Sequence, residues 1–336
     1  MRRKYPFSVS ELATEAGVSP ATVSRVLNNR ELTQSEARNR VCSALQARGI
    51  NPDDIILDSP KSSGLILFSL PFDFNSFFNE IIKGSKASAL QHGYRLLIRQ
   101  EHINENTFPR FETDIRELGI AGLICLDHLE GGRLERISSM LPMVQCCDYD
   151  PQNPSVSSVS LDDEKMGCAA TDYLISLGCR RIAFLSGQLR YRDNLERRNG
   201  YVRSLTTHGF EPLPSRIISL PEIDYNMAFS TATQLLSQPN RPDGFLAISD
   251  LFACAITNAA HRLGLHVPRD VKVIGYDNVD YSIMSSPTIT TVNTPKFQMG
   301  YTACELVIER IQNPENPGRH ISLPSELVIR ESTAIL

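Results

Sequence analysis

From residue 64 onward the chain alternates between two textures. Short apolar runs (GLILFSL, YRLLI, AGLICL, MVQCC, RIAFLS, RIISL, GFLAIS and VKVIGY) are separated by longer stretches of mixed polar and apolar positions. Uninterrupted apolar runs of this length read as strands covered on both faces. Their alternation with helix-length segments predicts βαβ units and mostly parallel sheets. The segment DPQNPSVSSVS, near residues 150–160, splits the series into two comparable halves, and SSPTITTVNTP reads as a later connection between them.

The first 50 residues follow a different period. In SVSELATEA, Val9, Leu12, Ala13 and Ala16 recur at helical spacing, with Ser8 and Glu11 placed as a capping box. Gly17 permits a tight turn. A second helix starts at Ser19, a good N-cap, with Pro20 at the first helical position. On a wheel of about 100° per residue, Val23, Val26 and Leu27 share one face while Ala21, Ser24, Arg25 and Asn28 lie opposite. Thr33 and Glu36 repeat the capping pattern before Ala37, Val41, Ala44 and Leu45. Three short helices, the first two joined through a glycine turn, predict a helix-turn-helix unit.

Charge sharpens that reading. Residues 1–50 hold eight basic and four acidic side chains, a net of +4; the whole chain carries −4, so residues 51–336 carry −8. A basic head on an acidic body suits a polyanionic partner. At 336 residues and 41% hydrophobic content, the chain has material for two or three compact units with a real core. No apolar h-region follows the basic N-terminus, and no run approaches the ~20 apolar residues of a membrane helix. The eight cysteines are scattered, without C-x-x-C or a metal-ligand histidine pair, which points to reduced thiols and a cytoplasmic protein. No P-loop, dinucleotide fingerprint, nucleophile elbow or zincin motif occurs, so no catalytic or metal-binding residue and no cofactor is expected.

Ligands of parallel α/β sheets bind beyond the carboxyl ends of the strands. Several runs end there in an acid: Asp127, Asp148, Asp250 and Asp277. Such acceptors suit a ligand rich in hydroxyl or amine donors. Asp250 has a second reading, as the cap of the helix that follows it.

The segments that carry these features resemble the LacI/GalR family of bacterial transcription regulators. SVSELATEAGVSPATVSRVLNN is similar to its DNA-binding head. SGLILFSLPFDFNSFFNEIIKGSKASALQHGYRLLI, YLISLGCRRIAFLSG, ERRNGY, FLAISDLFACA, VKVIGYDNVD, TITTVNTPKFQMG and LVIREST resemble successive body signatures, in order along nearly the whole chain. The resemblance implies a small all-α helix-turn-helix head on an α/β periplasmic-binding-protein-like body of two parallel-sheet subdomains. The expected division is a head of residues 1–50, a hinge of 51–62 and a body of 63–336. Within the body, one subdomain takes 63–160 with 292–319, the other 161–291 with 320–336.

It also implies a homodimer on a pseudo-palindromic operator in double-stranded DNA, most simply as a repressor, controlled by a small effector. By position, Pro20, Ala21 and Arg25 match major-groove readers; Thr22, Ser24 and Asn28 match backbone contacts; Ile56 falls in the hinge. Phe72, Asp148, Arg197, Ser249 and Asp277 match effector-cleft positions. The acids favour a sugar or sugar derivative; an acidic or purine effector is the alternative, as is a small-molecule-binding protein that has lost DNA binding. Arg197 is expected to point into the cleft, against the alternative of a surface pair with Asp193 or Glu196. The chain departs from the family pattern in its hinge: Ile56 and Ser59 replace the usual Ala and Leu, among Asp53, Asp54 and Asp58. A polar, acidic hinge is expected to intercalate weakly in the minor groove, where an apolar wedge must unstack a base step. Ser249 replaces a usual Asn, and Cys179 a usual His.

Overall fold

The computed structural model describes residues 7–28, 36–50, 52, 64–70, 76–129 and 132–334. Ile56, Phe72 and Thr33 lie outside these residues, as do the side chains of Arg25 and Asn28. Contacts divide the chain into a unit of residues 1–63 with 112–119 and a unit of 64–111 with 120–336.

The first unit holds α1 (Val9–Ala16), α2 (Pro20–Asn28) and α3 (Glu36–Ala47). Gly17 takes the left-handed conformation (φ 63°) and closes α1, while the Val18 N–H returns to the Ala13 carbonyl. The Ser19 hydroxyl accepts the Thr22 N–H at 3.1 Å and starts α2. Ser8 adopts an N-cap backbone but makes no side-chain capping bond, so only the backbone half of that expectation is met. Leu12, Val23, Val26, Leu27, Val41 and Leu45 close into one small core. Arg48 grips the Glu15 carboxylate with two hydrogen bonds of 2.7 and 2.6 Å, joining the end of α3 to α1.

The second unit contains two six-stranded sheets. The first, in the order β11-β5-β4-β3-β1-β2, is built from β1 (Leu65–Leu70), β2 (Arg95–Gln100), β3 (Gly122–Cys125), β4 (Met143–Cys146), β5 (Ser157–Leu161) and β11 (His320–Leu323). The second, in the order β12-β10-β9-β8-β6-β7, is built from β6 (Ile182–Ser186), β7 (Ile217–Ser219), β8 (Gly244–Ala247), β9 (Lys272–Asp277), β10 (Thr290–Asn293) and β12 (Glu326–Val328). Pairing is parallel throughout except between β10 and β12.

The chain passes between sheets after β5, after β10 and between β11 and β12. Because His320–Leu323 pairs with Ser158–Leu161, the first half extends to Leu323 rather than to residue 319. The stretch Ser157–Leu161, expected only as an interruption, is a wholly buried strand. Its serines are accommodated by bonding: Ser158 Oγ meets His320 Nδ1 at 2.7 Å, and Ser157 Oγ accepts the Arg319 N–H at 3.2 Å. Thr290–Asn293, read as a connection, is likewise a strand before it connects.

Glycine-mediated helix crossings organise both halves. In the first, α4 (Ser76–Gln91) meets α12 (Lys296–Gln312), and a Cβ on Gly300 would lie 1.9 Å from the Ile81 carbonyl oxygen. In the second, α7 (Asp163–Ser176) meets α8 (Arg192–Thr207), where a Cβ on Gly200 would lie 2.1 Å from the Glu164 carbonyl oxygen. This second approach brings Asp163 on α7 against Arg197 on α8. Among the described residues, no helix is long and apolar enough to cross a membrane.

Candidate functional site

The strands of both halves end at a shared cavity of about 690 Å³, within the ~300–1,000 Å³ span of small-molecule sites. Asp148, Arg197, Ser249 and Asp277 all line it. One sequence pattern explains their convergence: each follows or ends a strand, or opens the next helix.

Arg197 stands in the first turns of α8 and is 5% exposed. Its Nε donates to Asp163 Oδ1 at 2.8 Å, its Nη1 to the Ile248 carbonyl at 3.1 Å, and its Nη2 lies 3.6 Å from Asp193 Oδ2. The guanidinium rests 3.7 Å above the Tyr276 ring, whose hydroxyl donates to the same Asp163 oxygen. Burial works against the charge, but Asp163 and Asp193 outweigh it and raise the pKa. Arg197 is therefore a fixed, buried cation at the cleft floor; its partner within α8 is Asp193, and its main counter-ion comes from α7.

Asp277 ends β9 in the left-handed region (φ 94°), followed by Asn278 (φ 52°). Non-glycine residues persist there only where neighbours hold them. Arg330 donates to Asn278 Oδ1 at 2.7 Å, Asn278 Nδ2 donates to Asn293 Oδ1 at 3.0 Å, and the Lys296 ammonium donates to the Asp277 and Asn278 carbonyls. Burial pushes the Asp277 carboxyl up to about 6, with Arg197 and Lys296 opposing. Ser249 caps α10 (Asp250–Arg262), its hydroxyl accepting the Phe252 N–H at 3.3 Å. Asp250 is thus not the cap; its Oδ2 accepts the Val279 N–H at 2.8 Å, and burial raises its carboxyl to about 7.

From the first half, Asp148 follows β4 and is 4% exposed. Its Oδ2 faces His128 Nδ1 at 2.6 Å and its Oδ1 accepts the Arg192 N–H at 2.9 Å. Asp127 is absent from the cleft lining; it holds the Ile103 N–H at 2.7 Å and sits 3.2 Å from His102, which does line the cavity. Phe77, Tyr191 and Tyr281 add aromatic wall. Asp193 is a candidate partner already from its i,i+4 spacing to Arg197 on one helix; Asp163 carries no distinguishing spacing in the sequence, and only the α7–α8 crossing reveals it.

The raised carboxyls set a pH dependence. Asp250 has an ordinary value of 3.8 and about 7 in the folded chain. It takes up a proton on folding in that window, so its contribution to stability is full below 3.8 and lost as pH rises through about 7. The thermal midpoint is expected to fall between about pH 4.5 and 7.5, and Asp250→Asn, which keeps the acceptor for Val279, should flatten the slope. An unchanged slope in the variant would assign the titration elsewhere.

On the outer side of α2, Pro20, Ala21 and Ser24 are exposed and Thr22 is half-buried, opposite the fully buried Val23 and Val26. Such a face is available to a groove.

The head and the body each match a known family. Residues 8–53 match the family described as bacterial regulatory proteins, lacI family, and residues 171–333 match the periplasmic binding protein-like domain. The HTH-type transcriptional repressor CytR of Escherichia coli (strain K12) is 30% identical over 342 residues, covering 98% of this chain and 97% of the relative. The chain belongs to the LacI family. It is accordingly a DNA-binding transcription regulator with an effector-binding body, and not an enzyme. The repressor PurR of Photobacterium profundum is 27% identical over 334 residues, covering 97% of this chain and 98% of the relative. Among solved LacI-family structures, the CelR–cellobiose complex superposes with a TM-score of 0.75 at 24% identity, covering 97% of this chain and 99% of that one.

Proposed function

We propose that this LacI-family regulator is a homodimeric repressor whose affinity for a pseudo-palindromic operator is set by a sugar or sugar derivative in the body cleft. The observation that carries the effector assignment is the shared cavity lined by Asp148, Arg197, Ser249 and Asp277; Phe72, the fifth position the resemblance implies, lies outside the described residues. Asp148, Asp193, Asp250 and Asp277 surround it with acceptors, which suit hydroxyl donors. Arg197 already faces Asp163, so its charge is matched before a ligand arrives, which counts against a carboxylate or phosphate effector. Two structural relatives carry sugars, one as a cellobiose complex and one with bound ribose. The aromatic wall of Phe77, Tyr191 and Tyr281 favours a second reading, a purine or nucleoside stacked there. A ligand that bridges the halves favours closure, and closure alters the spacing of two heads. A coupling of about 1–3 kcal/mol suffices for regulation.

Calorimetry tests the site with sugars, sugar phosphates and purines on wild type, Arg197→Ala and Asp277→Ala. A neutral sugar binding wild type and neither variant is the expected result; equal binding to all three places the site elsewhere.

In the head, Pro20, Ala21 and Arg25 are proposed to read base edges and Thr22, Ser24 and Asn28 the backbone, with the hinge around Ile56 contributing little intercalation. Arg25→Ala should cost about 1–3 kcal/mol of operator binding and relax one base pair per half-site. Ser24→Ala should weaken binding evenly across sequences, since phosphate contacts carry no sequence information. Competition binding against single-base operator variants reads both; an unaltered base preference in Arg25→Ala refutes its role.

A further inference from the structure

Helix α8 carries Arg197 and begins at the cleft, yet it does not cap itself. Its N-cap residue is Tyr191, which makes no side-chain capping bond. The first N–H groups of a helix have no partner within it. Asp193 accepts the Asn194 N–H at 2.8 Å, but the Arg192 N–H donates across the cleft, to Asp148 Oδ1 at 2.9 Å. Asp148 belongs to the first sheet, beyond β4, whereas α8 follows β6 of the second. The other Asp148 oxygen is held by His128, beyond β3, at 2.6 Å; facing a carboxylate, Nδ1 is the donor. The His128 ring stands edge-on to Tyr191, 6.1 Å between centroids at 68°. Next to this contact, the Arg192 guanidinium lies 4.5 Å above the Tyr149 ring, so residues 148 and 149 together grip the start of α8.

We propose that Asp148 is the N-terminal cap of α8, supplied by the opposite half, and that His128 is the positioning residue that aims it. Closing the body then completes the helix that presents Arg197, and opening it leaves the Arg192 N–H without an acceptor. A carboxylate at a helix N-terminus gains from the aligned peptide dipoles as well as from the hydrogen bond, so the cap favours the closed arrangement. The effector's pull on Arg197 and the cap's pull on Arg192 act on one rigid element. This coupling rests on the effector reading above, whereas the cap itself does not.

Hydrogen exchange of the Arg192 amide in the full-length protein, without effector or DNA, tests the cap, so a failed calorimetric titration leaves it standing. Asp148→Ala should speed that amide at least tenfold, the scale of a lost charge-assisted bond. His128→Ala should speed it several-fold, and Asp148→Asn, which keeps an acceptor, should restore much of the protection. Unchanged exchange in Asp148→Ala overturns the proposal, and failure of Asp148→Asn to recover any protection also counts against it.

A second measurement needs no amide at 192. Arg192→Pro removes only the donor and the side chain, and the extended Tyr191 backbone (φ −72°, ψ 129°) accepts a following proline at the first helical position. Combined with Asp148→Ala, Arg192→Pro should lower the denaturation midpoint by clearly less than the sum of the two single variants, because both remove the same bond. Arg192→Ala, which keeps the N–H, should add to Asp148→Ala. Full additivity of Arg192→Pro with Asp148→Ala refutes the cap.

Discussion

Arg197→Ala is expected to destabilise the body by about 3–5 kcal/mol, the cost of breaking a buried ion pair and stranding its partner. The guanidinium is 5% exposed, pairs with Asp163 at 2.8 Å, and shields Asp193, whose carboxyl burial already pushes up to about 7. Its removal leaves Asp163, itself 3% exposed, with the Tyr276 hydroxyl and without the cation that balanced it. It also vacates the ring face of Tyr276 and frees the Ile248 carbonyl. Adding Asp163→Asn to Arg197→Ala should recover part of the loss, because the stranded charge is then gone. Urea denaturation of the two variants measures this. A loss below about 1 kcal/mol, the range of an exposed pair, would return Arg197 to a surface role.

The second large effect is expected in the head. Leu45 is fully buried in a core shared with Leu12, Val23, Val26 and Val41. Leu45→Ala should cost about 2–5 kcal/mol through lost burial and the cavity left behind. A unit of this size has little stability in reserve, so the loss approaches all of it. The head should therefore be largely unfolded near body temperature and operator binding lost, while the cleft still binds its ligand. Calorimetric melting with parallel DNA-binding and ligand-binding assays separates these outcomes. Wild-type operator affinity in Leu45→Ala would show that the head's fold does not depend on this core.

These results bear on what a sequence alone can disclose. The first two helices of the head and the turn between them were legible, because Ser19, Pro20 and Gly17 act locally and the Val23–Val26–Leu27 face has one period, although Ser8 makes no side-chain cap. The apolar strands were legible for the same reason. Ser157–Leu161 and Thr290–Asn293 were not: their hydroxyls are satisfied by partners far along the chain, such as His320 and Arg330, so local polarity misrepresents their burial. The short strand His320–Leu323, half of it exposed, has no local signal and is fixed by pairing with β5. In the cleft, strand-end acids announced themselves by position. The counter-ion Asp163 did not, since only the Gly167 and Gly200 approach sets it beside Arg197. Nor did the cap from Asp148 to Arg192, which joins residues of different sheets.

The central claim is sequence-specific DNA recognition by the head under control of the body cleft. In vitro selection from random double-stranded DNA with the full-length protein tests it most directly, followed by gel shift on the selected site and on the DNA upstream of the protein's own gene. The expected result is a two-fold pseudo-palindromic consensus bound by wild type, with its preference relaxed at one position per half-site in Arg25→Ala, and an affinity that changes when the cleft ligand is added. Selection that yields no consensus, or a consensus that Arg25→Ala reproduces at every position, would contradict the account.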